Sequence, residues 1–189
     1  MSILDRLLGR QEGAGRDAID SGSPFLEVVQ MQTRHIRHIM PIEQSSYPRP
    51  WTARIFEEEI ALMKRNNRQY LVAHVGGELV GYAGLLFSDE DAHVTNIAVS
   101  PEWQGRGVAT ELLLELAWYA REHKFNALTL EVRNTNTVAQ KLYQRFGFVP
   151  AGVRKKYYEN TDDAIVMWCS DIQGEEFERR LQAIENKRT

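Results

Sequence analysis

The segment Ser100-Pro101-Glu102-Trp103-Gln104-Gly105-Arg106-Gly107-Val108-Ala109-Thr110 lies between an apolar strand pattern and a long amphipathic helix pattern, and its residue types suit an anionic ligand. Gly105 and Gly107 permit backbone conformations closed to bulky residues and leave room for a ligand to touch the main chain. The unpaired N–H groups of the first helical turn point outward, and with the positive end of the helix dipole they suit a phosphate or pyrophosphate. Ala109 keeps the approach open. Arg106 can add a cation, although an arginine on a loop is most often simply solvated. The turn lacks the GxxxxGKS/T lysine of a P-loop and the GxGxxG of a dinucleotide fold. On these residues alone, a tight strand-to-helix turn with no ligand is the alternative. Metal and dithiol chemistry are not expected. Cys169 is the only cysteine, and His35, His38, His74, His93 and His123 form no HExxH pattern.

The turn needs elements to hold it. His93 to Val99 (HVTNIAV) reads as a strand, and Val108 to His123 carries Val108, Leu112, Leu116 and Ala120 at four-residue spacing, so one helix face must lie on a sheet. Ala127 to Arg133 (ALTLEVR) alternates: Leu128, Leu130 and Val132 point one way, and Thr129, Glu131 and Arg133 the other. Glu131 therefore sits on a polar-lined sheet face. A helix from about Thr135 to Phe146 places Val138, Leu142 and Phe146 along one side, with Gly147 as its left-handed cap and Phe148 starting the next strand. Upstream, Phe25 to Met31 reads as a first strand, and Thr33 to Met40 as a short helix stopped by Pro41. Tyr47-Pro48-Arg49-Pro50-Trp51 forms an extended loop, and Thr52 caps a helix with Ile55, Phe56, Ile60 and Met63 on one side. Tyr70 to Val75 and Leu79 to Phe87 pair as a hairpin through Gly76-Gly77. Ala164 to Cys169 is a last strand. Glu175 to Lys187 is a terminal helix whose Phe177, Leu181, Ile184 stripe packs on the sheet or on another copy of the chain. The alternation predicts an α/β fold with a mixed sheet flanked by helices.

With 189 residues the chain suits one globular domain, able to bury roughly two-thirds or more of its unfolded surface without a disulfide or structural metal. A net charge of -3 with mixed signs argues against a general nucleic-acid binder. The longest apolar stretch, Leu112 to Ala120, is interrupted by Glu115 and falls short of the ~18 apolar residues of a spanning helix. The start, Met-Ser-Ile-Leu-Asp-Arg-Leu-Leu, is not a secretory signal, so a cytoplasmic address is expected. Gly9 to Pro24 has the composition of a linker, and the Ile3, Leu4, Leu7, Leu8 cluster reads as a frayed end rather than a docking helix. These features divide the chain into a flexible tail (1–24), a folded domain (25–170) and a C-terminal helical extension (171–189).

Gln104-x-x-Gly107-x-Ala109 resembles the coenzyme A pyrophosphate loop of the GCN5-related N-acetyltransferase (GNAT) family, whose pattern is Gln or Arg, two residues, Gly, one residue, Gly or Ala. Asn96-Ile97-Ala98-Val99 before it follows the order and spacing of the family's ribosomal-protein-alanine, or RimI-like, branch. So do Leu130 to Asn136, Leu142-Tyr143, Phe146-Gly147-Phe148, Arg154 to Tyr158 and Asp163 to Met167 after it. The similarity runs from about Phe25 to Cys169 and includes Ile42-Glu43-Gln44 and Pro50-Trp51-Thr52.

The resemblance implies the GNAT fold, acetyl-CoA as co-substrate and no metal. It implies that the backbone of Ile97, Ala98 and Val99 holds the acetyl and pantetheine arm, as in strand addition. Gln104, Gly105, Arg106, Gly107, Val108, Ala109 and Thr110 would hold the diphosphate, and Asn136 the coenzyme arm, although Asn136 also suits a helix cap. Glu131 matches the family's general base and Tyr143 its general acid. Tyr47, Trp51, Tyr157 and Tyr158 would grip an acceptor peptide. Glu43 suits a surface salt bridge, and Arg154-Lys155-Lys156 a solvated charge run. The implied acceptor is a protein N-terminus, an alanine of a small-subunit ribosomal protein, with no nucleic-acid or membrane partner and no oligomeric state indicated. Other N-termini, lysine side chains or a small amine are competing acceptors, and a non-catalytic acyl-CoA-binding module is the competing class.

Overall fold

The computed structural model describes residues 26–65 and 67–187. The tail, the Ile3 to Leu8 cluster and Phe25 lie outside the described residues. Strand β1 (Leu26–Gln30) leads through a 3-10 turn (Thr33–His35) into helix α1 (Ile36–Ser46), followed by α2 (Ala53–Met63). Strands β2 (Arg68–Val75), β3 (Glu78–Phe87) and β4 (Asp91–Val99) precede a second 3-10 turn (Pro101–Trp103) and α3 (Val108–Glu122). The chain continues as β5 (Ala127–Arg133), α4 (Thr137–Arg145), β6 (Val149–Tyr158), β7 (Asp162–Cys169) and α5 (Glu175–Asn186). The seven strands form one mixed sheet in the order β1-β2-β3-β4-β5-β7-β6, the mixed sheet flanked by helices that the alternation predicted. The expected hairpin turns through Gly76 (φ 58°) and Gly77 (φ 85°).

One pairing shapes the sheet. β4 and β5 run parallel, but their partnership covers only Asp91↔Ala127 to Val94↔Leu130. There β4 also takes up an extra residue against β3: Leu85 faces Val94 and Gly84 faces Asn96, leaving Thr95 unmatched. A bulge bends its strand and raises its twist. Past it, β4 stays on β3 and parts from β5, opening a wedge between Thr95–Val99 and the end of β5.

The back of the sheet carries Leu128, Leu130, Val132, Met167 and Cys169 against α3, α4 and α5. The front of β2 to β4 is covered by α1 and α2, whose Ile36, Ile39, Ile42 and Phe56 pack on Tyr70, Val72, Tyr82 and Ala98. Thr52 caps α2 as expected, its hydroxyl accepting from the Ile55 N–H at 3.4 Å. No helix among the described residues is long and apolar enough to cross a membrane.

The structure corrects three expectations. Pro41 does not stop the first helix, which runs from Ile36 to Ser46. The proline removes one hydrogen bond on the solvent face, while burial of Ile36, Ile39, Ile42 and Glu43 on the opposite face holds the helix together. Val138 is not on the packed side of α4; it is 80% exposed, and the buried arc is Ala139, Leu142, Tyr143 and Phe146. Steps of four residues drift about 40° each around a helix, so a Val138-Leu142-Phe146 row turns away from the core. Helix α4 also starts later than expected, at Thr137.

The C-terminal stripe is buried in this chain's own core, with Phe177, Leu181 and Ile184 closing the outer side of α3. Polar bonds reinforce it: Arg121 donates to the Ile172 and Gly174 carbonyls at 2.8 and 3.1 Å and pairs with Glu178.

Gly84 stands where β3 passes under the buried Tyr70 ring, and a Cβ there would lie 2.2 Å from Tyr70 Cε1. Gly84→Ala should lower unfolding free energy by about 3 kcal/mol, because neither backbone nor ring can retreat. Gly152→Ala, which meets nothing within 4 Å, should change it by less than about 0.5 kcal/mol. Urea titrations giving equal midpoints for the two variants would refute this account of the close approach.

Candidate functional site: a split-strand cleft

The glycine turn sits at the mouth of the wedge. Gly105 has φ 73° and Gly107 φ 87°, and a Cβ on either would meet nothing within 4 Å, so backbone conformation rather than packing selects glycine here. Gly107 is the N-cap of α3, and no side chain caps the helix. Val108 is buried and anchors the turn, and the first helical bond runs from the Glu111 N–H to the Gly107 carbonyl at 3.0 Å, so the amides before it have no intrahelical acceptor. Gln104 donates from Nε2 to the Val99 carbonyl at 3.1 Å, tying the turn to the strand. Arg106 is exposed but not free: its guanidinium stacks 5.0 Å from the Trp103 ring.

The parted edge of β4 supplies backbone groups. Ser100 donates its N–H to Val80 on β3 at 2.8 Å, and by alternation Ala98 also bonds toward β3. Ile97 and Val99 consequently direct their backbone groups into the wedge. The two carbonyls are engaged, Val99 by Gln104 and Ile97 by the Tyr47 hydroxyl, which donates at 3.2 Å. The side chains of Ala98 and Val99 belong to the core.

Across the wedge stands Glu131, its side chain only 12% exposed. One carboxylate oxygen lies 2.9 Å from His93 Nε2 and the other 3.0 Å from Arg154 Nη1. His93 Nδ1 lies 2.8 Å from Thr129 Oγ1. Burial holds the His93 pKa below its ordinary value despite the pull of Glu131, so the ring is neutral at pH 7. A neutral imidazole has one N–H, and the partners assign it to Nε2, donating to Glu131, with Nδ1 accepting from Thr129.

Three tyrosines converge beside this pair. Tyr143 is buried, and burial followed by the nearby Tyr158 raises its hydroxyl pKa far above the ordinary value. Tyr47 is raised likewise, by burial and then by Tyr143, Glu43 and Tyr158. Tyr158 donates to the Glu131 carbonyl at 3.2 Å, and burial, Tyr157 and Glu131 push it up to about 12. Its ring lies 4.3 Å from the Arg133 guanidinium. Tyr157 is half exposed at the rim, with Arg154 5.5 Å over its ring.

Glu43 departs from its expected place. It is 2% exposed, and no cation among the described residues pairs with it. The Tyr82 hydroxyl donates to one oxygen and the Trp51 N–H to the other, the latter at 2.6 Å, so it pins the Tyr47–Trp51 loop over the front of the sheet. Trp51 itself packs on Phe56 at 5.5 Å between rings. The Arg154-Lys155-Lys156 run is not merely solvated either. Arg154 meets Glu131, and Lys155 meets Asp163 at 2.8 Å. Asn136 acts as a helix cap, accepting from the Ala139 N–H at 3.1 Å. His93 and Thr129 were missed because a histidine in an alternating strand shows no partner until the strand beside it is known. Among the described residues no group of three or more His, Cys, Asp or Glu is arranged to hold a metal ion. Cys169 is buried, which pushes its thiol up to about 11.

The family model described as Acetyltransferase (GNAT) family matches residues 36–148. A Bacillus subtilis protein with a provisional assignment as ribosomal protein bS18-alanine N-acetyltransferase is 39% identical over 141 residues, covering 74% of this chain and 92% of that protein. The Escherichia coli ribosomal protein bS18-alanine N-acetyltransferase is 30% identical over 142 residues, covering 72% and 92% of the two chains. The crystal structure of the E. coli ribosomal-protein-S18-alanine N-acetyltransferase superposes with a TM-score of 0.70 at 26% identity, covering 78% of this chain and 94% of that one. The chain therefore belongs to the acetyltransferase (GNAT) family. It is an N-acetyltransferase, of a family that uses acetyl-CoA as acyl donor.

His35, His74 and His93 all have pKa values depressed by burial from the ordinary 6.5. The unfolded chain then binds more protons than the folded one as pH falls below 6.5, so stability is full above that value and drains below it. The urea midpoint should fall between pH 7 and pH 5, and His74→Gln should remove part of that fall. A midpoint flat across this window would contradict the burial argument.

Proposed function

We propose that the protein moves the acetyl group of acetyl-CoA to the N-terminal α-amine of a protein, the alanine of a small-subunit ribosomal protein, by direct attack in the wedge between β4 and β5. The carrying observation is the parting of the two strands at Thr95, which sets an open backbone edge between a helix N-terminus suited to a diphosphate and a carboxylate suited to an amine. In this reading the amides of Gly105 to Thr110 hold the diphosphate, with Gln104 fixing the turn and Arg106 at its rim. The edge at Ile97, Ala98 and Val99 takes the pantetheine arm, and Asn136, whose oxygen caps the helix, would offer its side-chain N–H group to the same arm. Tyr47, Trp51, Tyr157 and Tyr158 form the acceptor's entrance. The names of the B. subtilis and E. coli relatives support the acceptor.

Each group has a defined task. The acceptor nitrogen attacks as the free base, forming the amide C–N bond as the thioester C–S bond breaks. Glu131 takes the proton lost by nitrogen, directly or through water, and the Tyr143 hydroxyl supplies one to the departing sulfur, so protons balance. An α-amine has pKa ~7.7 to 8.0 against ~10.4 for lysine, so a carboxylate near neutral pH has far less to do at an N-terminus. Burial keeps Tyr143 protonated throughout the working range, so its hydroxyl is present as a hydrogen-bond donor at the departing sulfur. His93 and Arg154 hold the two oxygens of Glu131, and Arg154, with its side chain 56% exposed, can swing aside for the incoming amine.

Incubation with acetyl-CoA and short peptides varied at the first residue, followed by mass spectrometry of the acetylated nitrogen, tests this directly. Label on the α-amine of alanine-first peptides is expected; label on lysine side chains alone, or on small amines alone, would overturn the acceptor assignment. Glu131→Gln and Tyr143→Phe should each lower kcat by roughly 10² or more, with the calorimetric affinity for coenzyme A kept within about threefold. Full turnover in either variant would remove that residue from the mechanism.

A further inference from the structure

The front of the sheet is covered over one half only. Helices α1 and α2 pack over β2, β3 and β4, and among the described residues no helix lies over the front of β5, β7 and β6. A row of directly partnered residues crosses that bare half: Leu86 faces His93, His93 faces Thr129, Thr129 faces Trp168 and Trp168 faces Val149. Partnered residues project from the same side of a sheet. Thr129 is two residues from Glu131 on one strand, so the row begins at the proposed site and runs out to Trp168, 37% exposed, and Val149, 60% exposed. At its lower border are Asp89, Glu90 and Asp91, for which the described residues offer no ion-pair partner, and Asp91 shares the front face with His93.

We propose that this bare half-face is a docking strip for the acceptor polypeptide beyond its first residues, and that it favours a basic segment. The inference rests on the acetyl-transfer reading for the position of the acceptor's amine. With that amine at Glu131, the level of Asp91, which pairs with Ala127, is four residues further along β5, about 13 Å or about four extended acceptor residues. The first three acceptor residues run along β5 past Thr129, with Trp168 one strand to the side, where its ring offers broad apolar contact at low entropic cost. Residues from about the fourth onward meet the unpaired carboxylates. A ribosomal protein must neutralise RNA phosphates and is therefore rich in Lys and Arg, which complements this border.

The test compares peptides sharing their first three residues and carrying Lys-rich, Ser-rich or Glu-rich residues 4 to 10. At low salt the Lys-rich peptide should show a KM about tenfold below the Ser-rich one, with similar kcat. That advantage should shrink to under twofold in an Asp89→Asn, Glu90→Gln, Asp91→Asn variant and in high salt. Trp168→Ser should raise KM about fivefold for every peptide that reaches the third residue, the tripeptide included. A tripeptide acceptor should be handled equally by wild type and the triple variant. Equal KM values across the long peptides, a charge advantage that survives the triple variant, or a loss on the tripeptide in the triple variant would each overturn the strip. Fluorescence anisotropy of N-acetylated, labelled versions of the same peptides ranks binding without turnover. Charge-ranked binding with no acetyl transfer would sink the reaction reading and leave the strip standing, whereas transfer to short peptides with unranked binding would do the reverse.

Discussion

The site depends on a mismatch of one residue. Where Thr95 is inserted against β3, β4 cannot keep both neighbours in register, and it keeps β3. The antiparallel ladder with β3 continues to Val99, and Tyr82 and Ala98, partners across it, are buried under α1, so leaving β3 would empty a core. The parallel ladder with β5 has no such anchor past Val94, and parting there leaves the facing edges of both strands without ladder partners. An unpaired edge inside a fold is normally a liability, because buried N–H and C=O groups must find partners. Here Tyr47 and Gln104 satisfy two carbonyls, so the cost is limited while the edge remains available to an extended ligand.

The same opening explains why two glutamates on the sheet's front have different uses. Glu43 receives a hydroxyl and a backbone N–H, each bond to a charged group contributing about 1.5–3 kcal/mol, and both donors are themselves fixed in packed elements. It is locked and serves to hold the loop. Glu131 is held instead by a neutral imidazole and by an arginine whose own chain is mostly in solvent. One partner sets its direction, and the other can be exchanged. A carboxylate needed for proton transfer must be oriented without being saturated, and only Glu131 meets that condition.

Much of this was legible in the residues. Alternation in ALTLEVR placed Glu131 on the polar face, and the Gly76-Gly77 turn, the Thr52 cap and the apolar stripe of α3 stand where periodicity put them. The Thr95 bulge was not read from the residues: HVTNIAV breaks its alternation at Thr95-Asn96, but an extra residue is defined only relative to β3, whose register the sequence does not show. The burial of Glu43 and the pairing of Arg154 were hidden for the same reason: their partners are 39 and 23 residues away in sequence and meet only through the sheet. Pro41 misled in the opposite direction, since a local rule about one hydrogen bond was outweighed by the apolar face that the helix buries.

The asymmetric cover of the sheet follows from the need to bring two large substrates to one bond. In the proposed reading a coenzyme arm laid along β4 would fill the wedge lengthwise from the turn before α3, and the acceptor would approach from the side the coenzyme does not use. If α1 and α2 extended over β5, the carboxylate would be sealed. If they were absent, Tyr82, Phe56 and Ile39 would lose their cover, and the bulged strand would lose the packing that keeps it on β3. Ending the cover at β4 satisfies both demands. The loop from Tyr47 to Trp51, pinned by Glu43 and tied to the Ile97 carbonyl through Tyr47, then lies at the border between the covered and open halves, where the proposed acceptor would enter.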